Sequence, residues 1–317
     1  MICAEKNDII YDDMKIIITE QNSGKTVLDI VKRQLRISSR MLTKLKKMPT
    51  GITVNSEHVT VRRILTEGDV LEISDTDTAE ETNRYLIPVS GTLDIVYEDD
   101  YMTAVNKPPE MPTHTSRNHD EDTLANIFAY RNSETENYVF RPVNRLDRNT
   151  SGLVLIAKNH YAASRLSDMI QNGMIKKKYI AVLQGEISEN EREGTIVNFI
   201  SRAGASIITR VQSDEYTEGA DRAVTEYSCI CVKNGLSVVS ACPRTGRTHQ
   251  LRVHFAGLGH SILGDDLYGA PSDIISRQAL HAHTLEFSHP VTGDRVAITA
   301  RIPRDINEIL EANEITL

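Results

Sequence analysis

NRLDRNTSGLVLIAK, residues 144–158, places a single carboxylate, Asp147, between Arg145 and Arg148, then passes through a Thr-Ser-Gly turn into an unbroken apolar run. Such a run after a turn reads as a buried strand. Outward from it, short strands and helices mix without a steady strand–helix repeat. LDIVYED and TAVNKP read as strands before it, with a helix near 121–132; a helix near 160–172, closed by Gly173, and the strand KYIAVL follow it. Further on come the strands VTEYSCICV and LSVVSAC, a helix beginning near Thr248, the strands ALHAHTLEF and RVAITA, and a terminal helix near 304–313. This order predicts an α+β domain with a mixed, largely antiparallel sheet.

The N-terminal part differs in pattern. KIIITE reads as a strand, GKTVLDIVKRQLRI carries a helical apolar stripe, a second helix starts at Ser38 or Ser39, and GITVN, HVTV and GDVLEI are strand-like. The Thr- and acid-rich stretch that follows has too few apolar residues to pack and reads as a linker. At 317 residues, 40% of them hydrophobic and 25% charged, the chain suits one large soluble domain plus a small one. No apolar segment approaches the roughly 18 to 20 residues that span a bilayer. The first residues, MICAEKNDIIYDDMK, lack both a basic leader and a long apolar core, so a cytoplasmic protein is expected. Cys3, Cys229, Cys231 and Cys242 show no CxxC spacing, and reduced cysteines without metal are expected.

A net charge of −8 argues against a nucleic-acid partner until its distribution is read. Residues 31–47, VKRQLRISSRMLTKLKK, hold seven Lys or Arg and no acid, so the basic patch is local.

Common catalytic signatures are missing. SGKT at 23–26 lacks the earlier glycine of a phosphate-binding P-loop, and GxSxG, HExxH and GxGxxG do not occur. Three other segments remain. Around Asp147 two guanidinium groups favour the charged carboxylate, which suits a nucleophile or base better than a general acid; an isolated RxDR more commonly caps a turn. In TGRTHQ, Thr248 caps the predicted helix and leaves Arg247 and Gln250 near an end that favours anions. In IKKKYIAVLQG, lysines precede a strand that carries Tyr179, a pattern in which cations meet phosphates and a ring stacks on a base.

Five segments in order, VNKPPEMPTH (105–114), NRLDRNTSGLVLIAK (144–158), KKYIAVLQG (177–185), TGRTHQLRVHFAGLGHSILGDDLYG (245–269) and LHAHTLEFSHPVTG (280–293), together resemble the RluA family of pseudouridine synthases. The N-terminal unit is similar, more loosely, to the alpha-L RNA-binding module of a ribosomal small-subunit protein.

The resemblance implies a module at 1–75, a linker at 76–90 and a catalytic domain at 91–317. It implies that Asp147 is the nucleophile, that Arg145 displaces the target uridine from its stack, that Tyr179 stacks on the flipped base, that Arg247 pairs with Asp147, and that Leu280 forms an apolar wall. Lys32, Arg33, Arg36, Arg40, Lys44, Lys46 and Lys47 would contact RNA. Where the family usually has His before RLD, this chain has Asn144, which bears on local hydrogen bonding. No cofactor or metal is implied, and a monomer is expected. Ribosomal RNA of the large subunit is the favoured substrate, with tRNA as the alternative. A non-catalytic RNA-binding protein and a nucleoside or phosphoester hydrolase are the rival readings.

Overall fold

The computed structural model describes residues 15–35, 37, 39–74, 86–116, 118–135, 138–204, 206 and 208–317. Its strands are β1 (Lys15–Ile17), β2 (Ile52–Val54), β3 (Glu57–His58), β4 (Val70–Ile73), β5 (Ile95–Glu98), β6 (Met102–Lys107), β7 (Arg141–Pro142), β8 (Ser151–Ala157), β9 (Lys176–Gln184), β10 (Glu193–Arg202), β11 (Arg210–Ser213), β12 (Asp221–Lys233), β13 (Leu236–Pro243), β14 (Leu280–Ser288) and β15 (Arg295–Thr299). Its helices are α1 (Val27–Asp29), running on as a π-helical turn at Ile30–Gln34, then α2 (Ser39–Leu45), α3 (Leu124–Arg131), α4 (His160–Gln171), α5 (Gln250–Gly257) and α6 (Arg304–Ala312). The first four strands pair as β1-β4-β2-β3; the rest form an 11-stranded sheet ordered β11-β10-β12-β13-β9-β14-β8-β6-β5, with β15 on β14 and β7 on β8. Among the described residues its pairings are antiparallel except that of β8 with β14. This is the α+β, largely antiparallel fold that the sequence predicts.

The apolar run after Asp147 is β8, buried at every position. Side chains alternate along a strand, so cover on both faces demands an apolar residue at each step. Leu153, Leu155 and Ala157 pack with Ala162 and Leu166 of α4. Val154 and Ile156 pack on the other face with Leu124 and Phe128 of α3. Both helices start where a side chain satisfies a free N–H: Asn159 accepts from Ala162 N–H, and Thr123 and Asn126 form a reciprocal capping box. On the next strands, Ile180 to Leu183 of β9 pack with Leu251 and Phe255 of α5 and with Ile306, Ile309 and Leu310 of α6.

Packing thereby places three functional segments side by side. Ala282 of β14 pairs in register with Gly152 on one side and Tyr179 on the other. Gly152 permits this: its φ is +113°, and a Cβ there would stand 2.2 Å from the Ala282 carbonyl oxygen. The loop carrying Asp147 therefore ends beside Tyr179 and the first residue of β14, Leu280.

Three sequence expectations need correction. β10 and β11 escaped notice because β10 is largely exposed or half-buried along its length and is held by pairing with β11 and β12, not by an apolar stripe. The helix expected from Thr248 begins at Gln250, because His249 has φ 58° and makes no capping bond. The turn before it is organised by Gln250, whose side-chain Oε1 accepts from the Thr245 hydroxyl at 2.7 Å and from Arg247 N–H at 3.0 Å. Of the expected linker, 76–85 lies outside the described residues, and the part from 86 onward is docked: Val89 N–H donates to Asn126 O at 3.1 Å, and Asn126 Nδ2 donates to Ile87 O at 2.7 Å. The small N-terminal sheet has its own core, including Ile16, Val27, Ile30, Leu45, Ile52 and Leu71, which Tyr161 of α4 joins.

Candidate active site

Asp147 sits on a loop held at several backbone groups by distant residues. The Thr113 hydroxyl donates to Leu146 O at 3.2 Å, Lys107 Nζ to Arg148 O at 3.1 Å, and Arg277 Nη1 to Asn149 O at 3.0 Å. Inside the loop, Thr150 N–H closes a turn onto Asp147 O at 3.0 Å. At its start Asn144 bridges to β8, donating to Leu153 O at 3.0 Å and accepting from Leu155 N–H at 2.8 Å. The residue that departs from the family pattern therefore serves as a two-point backbone tie. Leu146 is buried beneath the loop, while Arg145 is exposed.

Two of these clamps are charged groups that are well partnered themselves. Lys107 is fully buried, and its ammonium also donates to Pro108 O and Met111 O, both at 2.8 Å. Burial, with Arg277 nearby, pushes its pKa down to about 7, against the pull of Asp147. Arg277 forms a two-point pair with Asp305 of α6 at 2.7 and 2.9 Å, so the terminal helix bears on the Asp147 loop through one guanidinium.

The carboxylate of Asp147 faces a cleft of about 230 Å³, lined among others by Arg145, Lys177, Tyr179, Arg247, His249, Arg252 and Leu280. The nitrogen groups within 4 Å of it come from α5 and the turn before it. Arg252 Nη1 lies 4.0 Å from Asp147 Oδ2, and His249 Nε2 lies 3.9 Å from Asp147 Oδ1. Arg252 is aimed by a buried two-point pair with Asp265, both bonds 2.7 Å, and by the Tyr268 ring 5.2 Å away, leaving Nη1 directed at Asp147. His249 is fixed by Tyr268, whose hydroxyl meets Nδ1 at 2.8 Å and accepts from Arg210 N–H. In the tautomer where the tyrosyl hydroxyl donates to Nδ1, the imidazole proton is on Nε2, toward Asp147. Burial lowers the His249 pKa, with Asp147 opposing, which favours this neutral form. The Tyr179 phenol is pushed up by burial and then by the negative charge of Asp147.

The structure thus gathers Asp147, Tyr179, Leu280, Arg145 and Arg247 at one cleft, as expected, but divides the arginines differently. Arg247 does not pair with Asp147. It lies at the rim, 3.4 Å from Asp221 and donating to Arg222 O at 3.2 Å. Arg148 also turns away, donating to Glu110 O at 3.3 Å. Arg252, Asp265, Tyr268, Lys107 and Arg277 were missed, although the first three stand in the segment TGRTHQLRVHFAGLGHSILGDDLYG. The basic N-terminal residues lie away from this cleft's lining. Arg33 and Lys46 are exposed, Lys32 donates to the Ser39 hydroxyl at 2.8 Å, and Arg36 and the Arg40 side chain lie outside the described residues. Among the described residues, no group of three or more His, Cys, Asp or Glu could hold a metal, and no helix is long and apolar enough to cross a membrane.

Comparison with known proteins identifies the family. Residues 101–257 match the family described as RNA pseudouridylate synthase. A Bacillus subtilis protein named Uncharacterized RNA pseudouridine synthase YjbO is 37% identical over 279 residues, covering 88% of this chain and 96% of the relative. Ribosomal large subunit pseudouridine synthase D of Zymomonas mobilis is 32% identical over 286 residues, covering 86% of this chain and 88% of the relative. The solved structure of Human RNA Pseudouridylate Synthase Domain Containing 1 superposes with a TM-score of 0.54 at 27% identity, over 73% of this chain and 98% of that one.

Proposed function

Since this chain belongs to the RNA pseudouridine synthase family and is an isomerase acting on RNA, we propose that Asp147 is its nucleophile and that its substrate is large-subunit ribosomal RNA. The observation that carries the first part is the charge arrangement: a carboxylate reachable from a cleft, opposed by the one guanidinium that Asp265 aims at it. The reaction breaks the N1–C1′ bond of uridine, turns the base and joins C5 to C1′; the C5 hydrogen is lost and N1 gains one, so the composition is unchanged. Attack on C1′, addition to C6 and removal of a ribose proton each need an ionised carboxylate beside the nucleotide. Arg145, exposed at the cleft, suits displacement of the uridine from its stack; Tyr179 and Leu280 offer a ring and an apolar wall for the turned base.

The preference for large-subunit RNA rests on relatives named for that activity. Incubating the protein with unmodified rRNA and tRNA transcripts, then mapping pseudouridine chemically, should give a modified site in the large-subunit transcript. New pseudouridine only in tRNA would overturn the substrate, and free uracil in place of pseudouridine would overturn the reaction.

Residues 1–75 are assigned to RNA binding and joined to a catalytic domain that takes in the docked residues 86–90 as well as 91–317, with the protein acting as a monomer. Neutralising Lys32, Arg33, Arg36, Arg40, Lys44, Lys46 and Lys47 together should weaken RNA binding and flatten its salt dependence, by about 0.7 in log–log slope for each single-strand phosphate that is no longer neutralised. An unchanged slope would remove the module from the interface. Light scattering of the free protein checks the monomer; a dimer mass would reject it.

A further inference from the structure

We propose that Lys177 forms a phosphate subsite inside the cleft, its ammonium binding the backbone phosphate of the nucleotide whose base lies on Tyr179; this rests on assigning the cleft to RNA. Three consecutive lysines open β9, and the structure gives them different surroundings. Lys176 is exposed. Lys178 is paired across the strands with Glu286 at 2.8 Å. Lys177 points the other way and lines the cleft, and among the described residues its ammonium makes no hydrogen bond or ion pair.

Lys177 is half-buried; an ammonium partly withdrawn from water without a partner is disfavoured, and an arriving anion offsets that cost. Among the described residues, no carboxylate offsets it. Burial pushes the Lys177 pKa below its ordinary value, and the one opposing group is the Cys242 thiol. The position is also suited to a nucleotide. Residues two apart share a face of a strand, so Lys177 and Tyr179 stand side by side about 6.6 Å apart along β9, comparable to the span from a pyrimidine ring to its own phosphate. Gly246 lies beside the ammonium, an added Cβ there standing 3.8 Å from Nζ, at ordinary contact distance. The other cleft cations have different placements: Arg145 is exposed, Arg247 is paired with Asp221 at the rim, and Arg252 is held by Asp265.

The test uses the full chain and an RNA transcript, with both Kd and kcat/KM followed from about 50 to 200 mM salt. Lys177→Gln should lower kcat/KM about tenfold to a hundredfold, as expected when one charge-assisted hydrogen bond is removed, and should flatten the salt slope of Kd by about 0.7. Lys177→Arg should keep the slope. In wild-type protein, replacing the phosphate next to the target uridine by a neutral methylphosphonate should cost the same factor, and the Gln variant should lose little more on that RNA. An unchanged slope in Lys177→Gln, or a wild-type enzyme indifferent to the methylphosphonate, overturns the subsite. Should the Gln variant misfold, the wild-type arm still decides. Failure of the enzymatic reading is separable: no pseudouridine in any RNA, together with a slope that still flattens, would sink that reading and keep the phosphate contact.

Discussion

Asp147→Asn is expected to fold, to bind RNA with near wild-type affinity, and to lose pseudouridine formation by about four orders of magnitude or more, the scale seen when a nucleophile is removed from an enzyme. The amide is nearly isosteric, and no backbone tie of the loop uses the Asp147 carboxylate. Leu146 O, Arg148 O and Asn149 O keep their donors in the variant, and the turn onto Asp147 O is a backbone bond. What changes is the charge in front of Arg252 and His249, which an amide cannot supply. The measurements are single-turnover pseudouridine yield and RNA affinity on the same preparation. Wild-type turnover by the Asn variant would reject Asp147 as the reagent, while lost affinity in place of lost turnover would make it a binding residue.

How the sequence located this carboxylate but misassigned its partner has a physical explanation. The apolar run after the turn is a strong signal, because β8 is covered on both faces; Tyr179 and Leu280 come with the family resemblance, and they lie on β9 and on β14, the strand between β9 and β8. The arginine comes from the family resemblance, which puts the pairing on Arg247 of TGRTHQ. With Thr248 as cap, Arg247 borders the helix; the left-handed backbone of His249 moves the start to Gln250 and puts Arg252 in the first turn, toward Asp147. Nothing in the spacing of TGRTHQLR announces a non-glycine residue at positive φ. The loop clamps were illegible for another reason. Lys107, Thr113 and Arg277 act on backbone carbonyls, which every residue carries, so their partners leave no mark on the sequence.

Arg252→Ala should be the most destabilising single change at the site, by about 3 to 5 kcal/mol, because it strands a fully buried carboxylate. Asp265 has no exposed side-chain surface, and Arg252 supplies both of its 2.7 Å charged bonds. Two further donors, Leu267 N–H and Tyr268 N–H at 3.1 Å, remain in the variant but do not carry a compensating charge. The double variant Arg252→Met, Asp265→Asn separates stability from chemistry. It removes both charges while the Asn oxygen goes on accepting those two N–H groups, so it should recover much of the stability lost by Arg252→Ala in denaturant unfolding. It should nevertheless remain deeply impaired in pseudouridine formation, because no guanidinium then faces Asp147. A double variant as active as wild type would show that Arg252 serves the fold alone; an Arg252→Ala protein as stable as wild type would mean that the Asp265 carboxylate finds water or another donor once the arginine is gone.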